Sequence, residues 1–168
     1  MAEQSHSVII LMGVTGAGKT TVGRLLASDL GYEFIDADDY HPPANVAKMR
    51  AGQPLTDDDR WPWLRRLNEV LRGRAAAVVA CSALKEAYRT VLMRGLPDAR
   101  LVYLRGTRGV IAARLAERRG HYMNPALLDS QFATLEEPRD AIVVEVDQAP
   151  EAIVASIVNR FAASGQAR

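Results

Sequence analysis

Residues 13 to 20 read GVTGAGKT, directly behind the apolar run SVIILM and directly ahead of TTVGRLLASDL. The string fits G-x-x-x-x-G-K-[ST] from Gly13 to Thr20, in the context the pattern demands: a strand-length run before it and helical spacing after it. In the helical segment Val22, Leu25, Leu26 and Leu30 share one side, and Gly31 suits its end. Glycines let the backbone turn so that successive N–H groups face inward on phosphate oxygens, and a helix N-terminus adds a favourable dipole. Lys19 offers a mobile positive charge to the outer phosphates, and Thr20 a hydroxyl to a magnesium ion. The segment is read as the holder of a nucleoside triphosphate.

The rest of the chain repeats this order. YEFID is a second strand ending in acid, followed by a polar stretch from Ala37 to Trp61. Pro62 suits the first turn of a helix over WLRRLNEVLRG, with Leu64, Leu67 and Leu71 on one face. AAAVVACS reads as a strand buried on both sides, since it does not alternate. LKEAYRTVLMRG follows as a helix, ARLVYLRG as a strand and TRGVIAARLAERRG as a helix. HYMNP interrupts; then come a helix over PALLDSQFATLEEP, the strand AIVVEV and a closing helix over PEAIVASIVNRFAA. Strand then helix recurs five times. This predicts an α/β fold of three layers, a five-stranded parallel sheet with helices on both faces. A length of 168 residues suits one domain.

Several function classes are set aside. The 21 basic and 20 acidic residues leave a net charge of +1, and no basic block offers a grip on nucleic acid. Cys81 is the single cysteine, so no disulfide within the chain and no zinc spacing is available. The first residues carry no basic leader, and their apolar run is too short for a bilayer, which predicts a cytoplasmic protein without a membrane partner. Switch GTPases need NKxD-type and DxxG strings, absent here. A dinucleotide fold needs a third glycine after Gly16 and Gly18, where Lys19 and Thr20 stand instead. What remains is phosphoryl transfer to a small acceptor. Only Lys19, Lys48 and Lys85 are lysines in this arginine-biased chain.

The second strand ends IDADDYHPPANVAKM. Acids at the C-terminal end of a parallel strand face the crevice that holds the phosphate loop. Asp38 is read as the base near the attacking hydroxyl and Asp36 as an outer partner of the metal, through water. Turn formation and helix capping would use the same acids equally well. His41 suits donation to a substrate oxygen. In TDDDRWPWL the acids also suit capping, and Trp61 and Trp63 suit a core, whereas Arg60 suits a carboxylate or polyol.

Together GVTGAGKT, DADDYHPPANVAKMRAGQPLTDDDRWPWL, CSALKEAYR, RLAERRGHYM and LLDSQFATLEEP resemble the gluconokinase family of P-loop sugar-acid kinases, related in fold to shikimate kinase. The matching strings run in order over most of the chain. The resemblance implies one P-loop kinase domain with a substrate-binding insertion over about residues 37–75 and a helical lid over about residues 114–136. It implies that Gly13, Val14, Thr15, Gly16, Ala17, Gly18, Lys19, Thr20 and Thr21 bind ATP with Mg²⁺. Asp38, His41 and Arg60 are implied at the sugar-acid site, Arg60 meeting the carboxylate. Ser82, Ala83 and Lys85 are implied beside the phosphates, where other P-loop enzymes carry an acid. Arg114 and Arg118, four apart, are implied to cover the nucleotide on closure, while Lys48, Met49 and His121 fall in matched strings without assigned contacts. The implied activity is ATP-dependent phosphorylation of D-gluconate on its terminal hydroxyl, by a homodimer. Cys81 is expected to be a buried thiol outside the chemistry. The rival readings are a shikimate-type or other small-polyol kinase and a nucleotide-binding regulatory protein without catalysis.

One departure stands out. The family usually reads DGD where this chain has Asp36-Ala37-Asp38. Were that position to need a positive φ, alanine there would be strained by roughly 1–2 kcal/mol.

Overall fold

The protein is described by a computed structural model over residues 7–118 and 125–166. Strand β1, Ser7–Met12, runs through the middle of a five-stranded sheet. It is flanked by β3, Ala76–Ala80, and β4, Arg100–Arg105, while β2, Glu33–Asp36, and β5, Ile142–Glu145, form the edges. Every pairing is parallel. Parallel neighbours are joined only by crossovers, and each crossover lays a helix on the sheet. The sequence expectation of a parallel α/β architecture is met.

The central strands lack alternation because both their faces are covered. Ile9 and Leu11 of β1 enter one core with Val22 and Leu26 of α1, Lys19–Leu30, and with Ile153 and Ile157 of α7, Pro150–Gln166. Helices α5, Arg108–Glu117, and α6, Pro125–Thr134, add Ile111, Leu115 and Leu128 to it. Val8, Ile10 and Met12 point the other way, towards Leu64, Leu67 and Leu71 of α3, Asp57–Arg72, and Leu92 of α4, Glu86–Leu92. Burying one such aliphatic side chain contributes about 1.5–3 kcal/mol. Period two on the strand and period three to four on the helices thus build two cores around one sheet.

The polar stretch after β2 is mostly helical, which spacing did not reveal. Ala37–Tyr40 forms one turn of 3-10 helix, and Pro43 opens α2, Pro43–Arg50. Helix α3 starts earlier than Pro62 suggests. Thr56 caps it by a reciprocal box: Asp59 N–H donates to Thr56 Oγ1 at 3.1 Å, and Thr56 N–H donates to Asp59 Oδ2 at 2.9 Å. Pro62 therefore lies inside the helix and forfeits only the bond to the Asp58 carbonyl, on an exposed side. Ala37 carries none of the strain anticipated for it. Among the described residues the one positive φ outside glycine is that of Ala83, at 45°, whereas Ala37 is buried and its carbonyl accepts from Trp63 Nε1–H at 2.8 Å.

Asn68, buried on α3, donates through Nδ2 to the carbonyls of Leu92 and Arg94, both at 2.8 Å. It thereby fixes α3 against the end of α4. Asn68→Ala leaves both carbonyls without that donor and is expected to cost about 1–3 kcal/mol, lowering the melting temperature by several degrees. Thermal unfolding of the two chains checks this; equal midpoints would show that the tie carries no weight.

Candidate active site

The phosphate loop joins the buried end of β1 to α1, and its geometry follows from its glycines. Gly16 and Gly18 sit at φ 89° and 93°, where a side chain is disfavoured. A Cβ on Gly16 would meet Leu115 at 2.9 Å, and one on Gly13 would meet the Leu104 carbonyl at 2.9 Å. Helix α1 has no side-chain cap and no acid in its first turn. Among the described residues no side chain caps its leading amides or the positive end of its dipole, an arrangement suited to an anion. Thr20 and Thr21 lie exposed in that first turn. Lys19 Nζ donates to the carbonyls of Gly13 at 2.8 Å and Val14 at 2.9 Å, leaving one of its three N–H bonds for a ligand. Burial pulls its pKa down to about 8, against the opposing charges of Asp38 and Asp36.

The end of β2 supplies two acids whose surroundings shift them in opposite directions. Asp36 accepts from the Asp38 N–H at 3.0 Å and caps the 3-10 turn. Burial pushes its carboxyl up; the Asp38 N–H opposes this, and the charges of Asp38 and Asp39 add to it. Asp38 faces His41 Nε2 at 3.7 Å, and that imidazole, with Lys19 farther off, holds its carboxyl below the usual range. His41 is locked from behind. Its ring stacks on Trp63 with centroids 4.1 Å apart, and its Nδ1 faces Asn45 Nδ2 at 3.3 Å. The buried Asn45 Nδ2 also donates to the Asp59 carbonyl at 2.9 Å, so both of its protons are placed. His41 Nδ1 is then an acceptor, and Nε2 carries the proton towards Asp38.

A second cluster gathers at the start of α3. Asp57 accepts from the Tyr88 hydroxyl, lies 3.3 Å from Lys85 Nζ and 3.6 Å from Arg60 Nη1. The Tyr88 hydroxyl and then Lys85 hold the Asp57 carboxyl low, and Asp57 in turn raises Lys85. Arg60 also donates to the Leu55 carbonyl at 2.7 Å and lies over the Tyr88 ring. Two cations and a phenol thus converge on one carboxylate, chemistry that suits a carboxylate-bearing ligand. Lys48 pairs with Asp59 at 2.7 Å, and Met49 is exposed.

The end of β3 closes against the loop. Gly13 N–H donates to the Ser82 carbonyl at 3.3 Å, which brings Ser82 beside the phosphate loop. Cys81 is buried and its thiol is pushed up to about 12 by burial, so it stays protonated. The left-handed Ala83 is held by the buried Arg89, whose Nη1 donates to the carbonyls of Ala83 at 2.8 Å and Leu84 at 3.2 Å. Arg114 is anchored on the Val146 and Gln148 carbonyls and lies beside Gly18. Arg118 stands one residue past the end of α5, exposed, and its charge bears on Lys19. His121 lies outside the described residues.

Asn45, Asp57, Tyr88, Arg89 and Gln131 join the site without having been singled out from the sequence. Tyr88 and Arg89 stand in CSALKEAYR and Gln131 in LLDSQFATLEEP, so the strings held the signal but not the contacts. Among the described residues no three His, Cys, Asp or Glu side chains gather to hold a metal. Magnesium usually keeps several waters and takes one or two protein oxygens with phosphate oxygens. The Thr20 hydroxyl and the Asp36 carboxylate, pressed towards protonation by burial and by its neighbouring acids, fit that demand.

Lys19 loses its charge as pH rises through its lowered pKa. The value of kcat/KM for ATP is expected to fall above about pH 8, well before an ordinary lysine would titrate. A pH profile flat up to pH 10 would show that burial does not depress Lys19.

Comparison with known proteins bears on this geometry. The shikimate kinase family matches residues 15–162. The chain is 42% identical over 161 residues to the thermoresistant gluconokinase of Escherichia coli (strain K12), covering 91% of this chain and 92% of that protein. To a probable gluconokinase of Mus musculus it is 44% identical over 179 residues, covering 92% and 97%. The crystal structure of a gluconokinase from Sinorhizobium meliloti 1021 matches with a TM-score of 0.90 and 42% identity, over 98% of this chain and 96% of that one. With likeness of this order running through the whole sheet and both flanks of the phosphate loop, the chain belongs to the gluconokinase family of shikimate kinase-like P-loop kinases.

Proposed function

We propose that the protein transfers the terminal phosphoryl group of ATP to the terminal hydroxyl of D-gluconate, giving 6-phospho-D-gluconate and ADP. The observation that carries this reading is one edge of the parallel sheet. There the C-terminal end of β1 leads into the phosphate loop, that of β2 into Asp38 with its lowered carboxyl, and that of β3 into Lys85 of the Arg60–Asp57–Lys85 group. Family membership supports the sugar acid as acceptor.

Each residue has a role set by its chemistry. The amides from Gly16 to Thr20 bind the phosphates, and Lys19 neutralises charge on the outer ones. Asp38, kept anionic by His41, accepts the hydrogen bond of the attacking hydroxyl, orients it in line and takes its proton. Arg60 and Lys85 bind the carboxylate at the far end of the sugar acid, with Ser82 lining the space between. Thr20, and Asp36 through water, hold Mg²⁺, which when bound offsets charge on the transferring group. Arg114 and Arg118 close over the nucleotide and exclude water, which would otherwise compete with the sugar hydroxyl.

The reading includes one kinase domain, with residues 37–75 as its acceptor insertion and residues 114–136 as its lid. It also includes a cytoplasmic homodimer that binds neither nucleic acid nor membrane. Balanced charge supports the first of those exclusions, and among the described residues no helix is long and apolar enough to cross a membrane. The dimer rests on the family resemblance.

ADP release measured over gluconate, its epimers and shikimate tests the substrate; turnover confined to shikimate, or to none of them, would overturn the proposal. Lys19→Ala is expected to remove most turnover, at least about a hundredfold, as loss of a charge acting on the transition state does. Arg60→Ala is expected to raise the gluconate KM about tenfold or more with kcat far less affected, the signature of lost uniform binding. An unchanged gluconate KM would dismiss the carboxylate assignment.

A further inference from the structure

Gln131 lies on the core-facing side of α6, between the buried Leu128 and the half-buried Phe132, where the helical spacing calls for an apolar residue. Its carboxamide grips one residue of the phosphate loop twice. Thr15 N–H donates to Oε1 at 2.7 Å, and Nε2–H donates to Thr15 Oγ1 at 2.7 Å. The orientation of that amide is forced: a backbone N–H can only donate, so oxygen must face it, and the NH₂ group then faces the hydroxyl. Thr15 Oγ1 is therefore an acceptor from Gln131, and its own proton is left to be donated elsewhere.

The rest of the loop is pinned by other means. Gly13 N–H rests on the Ser82 carbonyl, Ala17 N–H on the Val14 carbonyl at 3.1 Å, and Lys19 Nζ on the Gly13 and Val14 carbonyls. Thr15 stands between these fixed points and next to Gly16, whose left-handed backbone turns the chain towards α1. Its hydroxyl therefore belongs to the stretch that faces the outer phosphates.

We propose that Gln131 is a positioning residue for phosphoryl transfer: it fixes the Thr15 hydroxyl as a hydrogen-bond donor to an outer phosphate oxygen of ATP. The inference rests on the ATP reading of the loop given above. Helix α6 thereby acts on the reacting phosphate through one side chain, without touching the nucleotide. The charge on that phosphate is largest when the bond to it is being exchanged, so the donor matters most in the transition state.

Gln131→Glu is the discriminating variant. A carboxylate still accepts from the Thr15 N–H, but it also accepts from the Thr15 hydroxyl, which turns away from the phosphate. Both contacts survive while the polarity of one is reversed. The proposal expects kcat/KM for ATP to fall roughly tenfold to a hundredfold, with gluconate KM and melting temperature near those of the parent chain. Thr15→Val is expected to lose a similar factor and Thr15→Ser to retain most activity. In the double variant Thr15→Val should add little to Gln131→Glu, because the hydroxyl is already lost to the phosphate. A structural role alone leaves Gln131→Glu close to the parent. Parental ATP kinetics in Gln131→Glu or in Thr15→Val, or full additivity of the two, would overturn the proposal. Full turnover in Lys19→Ala would instead overturn the underlying reading of the loop.

Discussion

A helix that begins without a cap has amides waiting for a partner, and in this protein those amides belong to α1. Thr56 and Thr107 accept from the first turns of α3 and α5, whereas α1, like α2 and α4, begins without a side-chain cap, and its start is the one that follows the glycines of the phosphate loop. The sheet serves that open end. Placing β1 between β3 and β4 brings the ends of β2 and β3 alongside the phosphate loop, and α3 and α4 carry Arg60 and Tyr88 onto Asp57 at their starts.

Around that positive end the acids are sorted by environment. Asp36 and Asp38 are two residues apart, yet burial raises one and an imidazole lowers the other. Paired carboxylates pushed in opposite directions can take different tasks, one towards a cation and one towards a proton. Asp57 works differently. It joins Arg60, Lys85 and Tyr88 into a preformed group carrying a net single positive charge, the amount one carboxylate would neutralise. Two long flexible cations are kept in place at this cluster without a ligand, which reduces the ordering cost of binding.

Much of this was legible in the residues. The phosphate loop, the five strand–helix repeats and the two-sided burial of the central strands follow from periodicity and one motif. The insertion was not legible by the same means. Its helices are short or polar: α2 buries little beyond Asn45, and the start of α3 was obscured by Pro62, a more visible signal than the Thr56–Asp59 box. The condition under which Ala37 would be strained is not met, because the 3-10 turn after β2 uses no left-handed residue there, whereas Ala83, whose carbonyl accepts from Arg89, is left-handed. Gln131 was hidden for a related reason. One amide in an apolar stripe reads as noise until the chain brings Thr15 to it.

The missing Cβ of Gly16 has one more implication. Leu115 fills the space a side chain there would take, so α5 is seated on the phosphate loop itself. Arg114, tied to the Val146 and Gln148 carbonyls, shares that seat. Gln131 makes the second attachment, to Thr15. Drawing Leu115 or Gln131 from its seat would open a void under the loop, at a cost that rises with its volume. The Val146 and Gln148 carbonyls thus hold the Arg114 guanidinium beside Gly18, at the mouth of the loop it is proposed to cover.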